Sequence, residues 1–236
     1  MKNKWLLTMV AGSCLASLTS ASAVTTTQGF GSIPGVTQAQ NPYSGSGIPI
    51  NASEYVVASG VGGGNDTVTI ALAATAHGSS NPAPGNNGAG TYSVNTGLVG
   101  GRSVWNFDFY GNSSLGLLGS YVFSLTETAN GHTFSFNPAA IPDNVGGPNS
   151  FGNSESLDFA TFGLPLSYDP NANDTYNFLL TVKNVDGALI ASDSITVNAG
   201  TGRSVPDAAS TATLLGFGLV GILALGYKRN RFAVAK

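Results

Sequence analysis

The chain has 236 residues, enough for one large or two small β domains, and 42% hydrophobic content supplies material for a core. Only 9% of residues are charged, against about 25% in ordinary soluble proteins, while glycine alone contributes 32. Between Val24 and Pro206 three basic residues (Arg102, Lys183 and Arg203) face eleven carboxylates, which excludes the basic face that nucleic-acid binding requires.

At the N-terminus, Lys2 and Lys4 precede an apolar run from Trp5 to Leu18 and then Ala21-Ser22-Ala23. A charged region, an apolar core and small residues at the end form a secretory leader, so residues 1–23 are expected to be a signal peptide. Cleavage by signal peptidase is expected after Ala23, with Ala21 and Ala23 as the small recognition residues. The apolar run is shorter than the ~20 residues a spanning helix needs, which argues against an uncleaved anchor. Cys14, the only cysteine, lies inside this leader without the branched apolar residue three positions upstream that a lipoprotein signal carries. Removal of the leader leaves a chain with no thiol, hence neither disulfides nor cysteine metal ligands.

Residues 24–52 are rich in Thr, Gln, Gly, Ser and Asn and read as a loosely structured low-complexity segment. From 53 to 199 the pattern changes to period two. Val68, Ile70 and Leu72 alternate with more polar neighbours, as do Trp105, Phe107 and Phe109, then Tyr121, Phe123 and Leu125, then Phe134 and Phe136, and last Tyr176, Phe178, Leu180 and Val182. Asn184-Val185-Asp186-Gly187 joins the last of these to the run Ala188–Val197, and Asp-Gly between two such runs predicts a hairpin. Glycine and proline clusters separate the runs, and no helical stripe stands out. The expectation is an all-β fold of about nine strands, an antiparallel β-sandwich of immunoglobulin-like or jelly-roll-like kind, flanked by a signal helix and a C-terminal transmembrane helix. The competing division is two β units parted near Gly100.

Several residues invite a chemical reading. Asp169, Asn171 and Asn173 place oxygens at alternate positions, as the start of a calcium loop does. Asp174 then stands where glycine is needed, and Leu180 where a bidentate glutamate belongs, so a turn held by Asx side chains is preferred and no metal is expected. Asp174-Thr175-Tyr176 reads either as a tyrosine corner or as a core tyrosine. His77 and His132 are isolated from each other and from any cysteine, and are expected on the surface or in turns. Asp108, Glu127, Glu155 and Asp158 are the carboxylates a glycosidase could use, although Asp108 falls on the polar side of its strand, where a solvated carboxylate is expected. Trp105, Phe107 and Phe109 could make a sugar platform, but their spacing assigns them to the core. No nucleophile elbow, phosphate loop or dinucleotide fingerprint is present, so neither an enzyme nor a cofactor is expected.

Residues 200–207 form a short linker, and 208–227 follow as twenty residues without a charge. As a helix these would span about 30 Å, the thickness of a bilayer's hydrocarbon core. Lys228, Arg229 and Arg231, within the basic tail 228–236, are then expected to stop transfer and stay cytoplasmic. Pro206 cannot lie within a helix and Asp207 favours a helix N-terminus, which sets the start of the span.

Val205-Pro206-Asp207, the small residues through Ser210 and Thr211, the Leu/Gly-rich span and the basic end together resemble the PEP-CTERM sorting signals of Gram-negative bacteria, in the variant carrying Val-Pro-Asp. Ala208-Ala209 departs from relatives that carry Gly, Ser or Pro there. The resemblance covers residues 205–236. It implies an exosortase that recognises the motif and removes the tail, and a host that makes exopolysaccharide and biofilm matrix. The chain is thus expected to pass the Sec translocon, rest transiently in the inner membrane and reach the cell surface or extracellular matrix, with exopolysaccharide as a partner and no nucleic acid. The leading expectation is a structural matrix protein; a carbohydrate-binding module or adhesin is the alternative, and a secreted hydrolase comes third.

Overall fold

The computed structural model describes residues 23–36, 48, 52–77, 85–141, 147–158 and 168–200. It is almost entirely β. One sheet runs in the order β1 (Thr25–Gly31), β2 (Ser53–Gly60), β3 (Asp66–Ala76), β7 (Trp105–Ser113) and β10 (Ser150–Glu155). The second runs β4 (Thr91–Val94), β12 (Leu189–Ala199), β11 (Asp174–Asn184), β8 (Tyr121–Ala129) and β9 (His132–Phe136). A two-stranded ribbon, β5 (Leu98–Val99) with β6 (Arg102–Ser103), stands apart. The described helical pieces are single turns: α1 (Val61–Gly64) and two 3-10 turns at Leu118–Ser120 and Pro138–Ala140.

The two large sheets pack face to face through aromatic side chains that the period-two pattern points inward. Phe107 of β7 stacks on Phe178 of β11 with centroids 4.8 Å apart, and Phe123 of β8 meets Phe151 of β10 edge-on at 4.8 Å. Trp105 lies 5.3 Å from Tyr176. Such ring pairs add roughly 0.5–1.5 kcal/mol each beyond area burial. Trp105, Phe107 and Phe109 are buried core residues, as their spacing predicts.

The β11–β12 hairpin forms where Asp-Gly predicts it. The Gly187 amide donates to the Asn184 carbonyl at 3.0 Å, Gly187 adopts φ +85°, and the Asn184 side chain accepts from the Ala188 amide at 2.8 Å. A turn closed by a glycine in the left-handed region matches the twist of the flanking strands.

Three expectations need correction, and the competing division near Gly100 falls away. The start of the low-complexity segment is a strand: β1 pairs with β2 over seven residues, from Thr25 opposite Ser59 to Gly31 opposite Ser53. The fold is not purely antiparallel, because β4 runs parallel to β12, from Thr91 opposite Thr196 to Val94 opposite Ala199. Twelve strands are described rather than nine, the extra ones being short or polar. There is no division near Gly100, because β3 pairs with β7 across it and β4 with β12.

No helix among the described residues is long and apolar enough to cross a membrane. Residues 1–22 of the expected signal peptide 1–23 and everything after Gly200, including the expected transmembrane helix 208–227, lie outside the described residues.

Candidate functional site: carboxyl groups inside the sandwich

The residues expected to form a sorting motif (Val205, Pro206, Asp207, Ser210 and Thr211), those expected to stop transfer (Lys228, Arg229 and Arg231) and Ala21 of the expected cleavage site all lie outside the described residues. Ala23 is exposed, two residues before the start of β1 at Thr25.

Within the fold, the chemistry is concentrated in buried acids. Glu54, Asp66, Asp108, Glu127, Glu155 and Asp193 are all buried. Charged carboxylates resist leaving water unless they are paired or hydrogen-bonded, so the partners of each decide its state.

Asp66, at the start of β3, is fully served. Its carboxylate accepts from the Tyr121 hydroxyl at 2.6 Å, the Ser113 hydroxyl at 2.7 Å, the Ser114 hydroxyl at 2.8 Å and the Leu115 amide at 3.1 Å. Burial alone would raise its pKa, but these donors outweigh it and hold the group below the ordinary aspartate range. Tyr121 belongs to the opposite sheet, so the bond ties β8 to β3.

Glu54 and Asp193 are the opposite case. Glu54 shares the inward face of β2 with Val56 and Ala58, and Asp193 that of β12 with Ile195 and Val197. Glu54 Oε1 accepts from the Gln28 side chain at 3.2 Å, whereas Glu54 Oε2 and Asp193 Oδ2 have no partner. Burial raises both, and the Glu54 charge raises Asp193 further, to about 8, against the Ser194 and Leu72 amides that lower it. Tyr92 of β4 lies beside them, its hydroxyl donating to the Ala52 carbonyl at 3.0 Å.

Of the four glycosidase candidates, Asp108 is not solvated. It lies on the face of its sheet turned away from the partner sheet, opposite Ser154 and Ala73, and that face is covered too: Ala71, Ala73, Thr75 and Asp108 are all 0% exposed. Thr75 donates to Asp108 at 3.1 Å, yet burial still pushes the carboxyl well above the usual range. Glu127 points inward from β8, and burial, then the nearby Asp174, raise it to about 7. Glu155 accepts from Asn153 near the end of β10, and Asp158 accepts from the Ser103 amide at 3.2 Å. Asp108 lies on β7, Glu127 on β8, Glu155 at the end of β10 and Asp158 just beyond it, and none of the four lines the clefts bordered by Tyr168, Asn149 or Phe151.

The calcium-loop candidates sit at one end of the sandwich. Asp169 Oδ1 accepts from the Asn171 amide at 2.9 Å, and the Ala172 amide donates to the Asp169 carbonyl at 3.0 Å, an Asx-type turn. Asn173 lies against Gly200. Asp169 and Asp174 border a cleft of about 40 Å³ with Asn130, His132 and Tyr168, room for one or two waters. No group of three His, Cys, Asp or Glu among the described residues could hold a metal. Tyr176 is a core residue packed on Trp105 and Tyr168. His77 bonds Asn106 at 3.0 Å, and His132 is exposed at the start of β9.

Sequence reasoning overlooked Glu54 and Asp193. The signal was present: each occupies an apolar position of an alternating run, Glu54 two before Val56 and Asp193 two before Ile195.

No protein-family model and no curated protein matches this chain.

Proposed function

We propose that this is an exported surface or extracellular-matrix structural protein, without enzymatic activity, sorted through its C-terminal signal and cleaved there by an exosortase. On this reading the sandwich is of immunoglobulin-like or jelly-roll-like kind. The chain leaves through the Sec translocon, loses its leader to signal peptidase and rests in the inner membrane by residues 208–227 before release into exopolysaccharide. The observation that carries the reading is the uncharged run Ala208–Tyr227, framed by Val205-Pro206-Asp207 on one side and Lys228, Arg229 and Arg231 on the other. Supporting it are the low charge of the whole chain and a β-rich fold whose last described strand ends at Ala199, a few residues before the motif.

Intact-mass measurement of the full chain expressed in an exosortase-bearing, exopolysaccharide-forming host tests this. The expected product lacks residues 1–23 and the tail, and Pro206→Ala with Asp207→Ala leaves the tail attached and the protein in the membrane fraction. Wild-type chain that keeps its tail in such a host, or a doubly substituted chain processed like wild type, overturns the proposal.

A further inference from the structure

We propose that Glu54 and Asp193 form a proton-dependent latch between the two sheets, closed while the pair retains a proton and loosened when both acids are ionised. The acids come from facing strands of different sheets, β2 and β12, which approach closely at this edge of the sandwich. Gly90, in the left-handed region at φ +71°, leaves space for the Glu54 carboxyl beside the β12 backbone next to Asp193: a β-carbon there would stand 3.4 Å from Glu54 Oε2 and 3.2 Å from the Ser194 carbonyl. Each acid is at least nine-tenths buried and each keeps one oxygen unpartnered. An orphaned oxygen in a dry interior is costly as part of an anion and tolerable as part of a neutral acid.

No compensating cation faces the pair among the described residues. Facing the pair are Gln28 and Phe30 of β1, the Leu72 amide of β3, Gly90, Tyr92 of β4 and the Ser194 amide. The titratable groups acting here are Glu54, Asp193, Tyr92 and, through its charge on Tyr92, Asp108 of β7; all are acids. Two like charges at one buried site cannot both form cheaply, so the second ionisation is the one that strains the contact. Gln28 transmits it outward, since its amide is what ties the edge strand β1 to the Glu54 carboxyl.

The sign follows from linkage. An acid whose folded-state pKa lies above its unfolded value stabilises the fold fully below the unfolded value, about 4, and loses that contribution as pH rises to the folded one, about 8 for Asp193. Across that window each retained proton multiplies the unfolding equilibrium constant about tenfold per pH unit.

The test is denaturant unfolding of the full chain in a mild detergent, from about pH 5 to about pH 8, for wild type, Asp193→Asn and Glu54→Gln. Both amides keep shape and cannot ionise, and either variant alone suffices. The ratio of variant to wild-type unfolding constants is expected to fall about tenfold per pH unit over much of this range for Asp193→Asn, and to fall with pH for Glu54→Gln as well, so that the variants gain on wild type as pH rises. A ratio constant with pH in a folded variant overturns the latch. So does a wild type whose unfolding constant does not rise with pH.

Discussion

Gly111 of β7 lies directly opposite Phe151 of β10, and the phenyl ring rests on the glycine where a β-carbon would otherwise project. Gly29 and Tyr55 repeat the arrangement between β1 and β2, where a β-carbon on Gly29 would meet the tyrosine oxygen at 2.6 Å. In both outer strand pairs of this sheet an aromatic ring thus fills the gap that a glycine leaves in the ladder, the cross-strand rescue known from engineered sheets. Gly111→Ala is expected to destabilise the fold by about 1–3 kcal/mol through overpacking. Combined with Phe151→Ala, it should cost less than the sum of the two single changes, as read in a double-mutant cycle by urea unfolding.

Tyr121→Phe removes one donor from a buried charged carboxylate and is expected to cost about 1.5–3 kcal/mol near neutral pH. Asp66 is held below its unfolded pKa, so its contribution is present above about 4 and disappears as pH falls through the folded value. The stability gap between wild type and Tyr121→Phe should therefore narrow on acidification, measured by denaturant titration at two pH values.

Glu127→Gln should behave in the reverse sense. Burial and Asp174 raise Glu127 to about 7, so its stabilising effect is complete below about 4.3 and spent above about 7. The variant is expected to gain on wild type by on the order of 3 kcal/mol between these limits. A thermal or denaturant profile with no relative gain would show that Glu127 is ionised inside the fold.

At the tip of the last hairpin, Gly187 meets nothing within 4 Å, so only its backbone conformation restricts substitution. Gly187→Ala should cost about 1 kcal/mol and Gly187→Asn less, because asparagine enters the left-handed region more readily. Urea midpoints of the two variants decide this.

The inward aromatics and the final hairpin were legible because period two and Asp-Gly are local signals. Asp108 was not, since alternation marks two faces without saying that the second meets water. A better reading was available in β3, where Ala71 and Ala73 stand at the middle of the face opposite Ile70, Leu72 and Ala74, so that the centre of the strand is apolar on both sides, as in a strand covered on both faces. The parallel β4–β12 pairing escaped notice because its partners are more than a hundred residues apart and no turn connects them. Glu54 and Asp193 were hidden by the rule that acids face solvent, which holds only where water or a cation can reach them.

β12 is the final described strand, yet it is threaded between β4 and β11 in the interior of its sheet. A polypeptide emerging from a ribosome or a translocation channel amino end first would have every described strand of the opposite sheet available by Glu155, with Trp105 and Phe107 still lacking the Tyr176 and Phe178 rings that cover them. Only when residues 174–199 have emerged can the second layer close, so the two sheets meet only once nearly all of the described domain is out. Such late, long-range closure favours slow folding and a need for protection from aggregation in the interval.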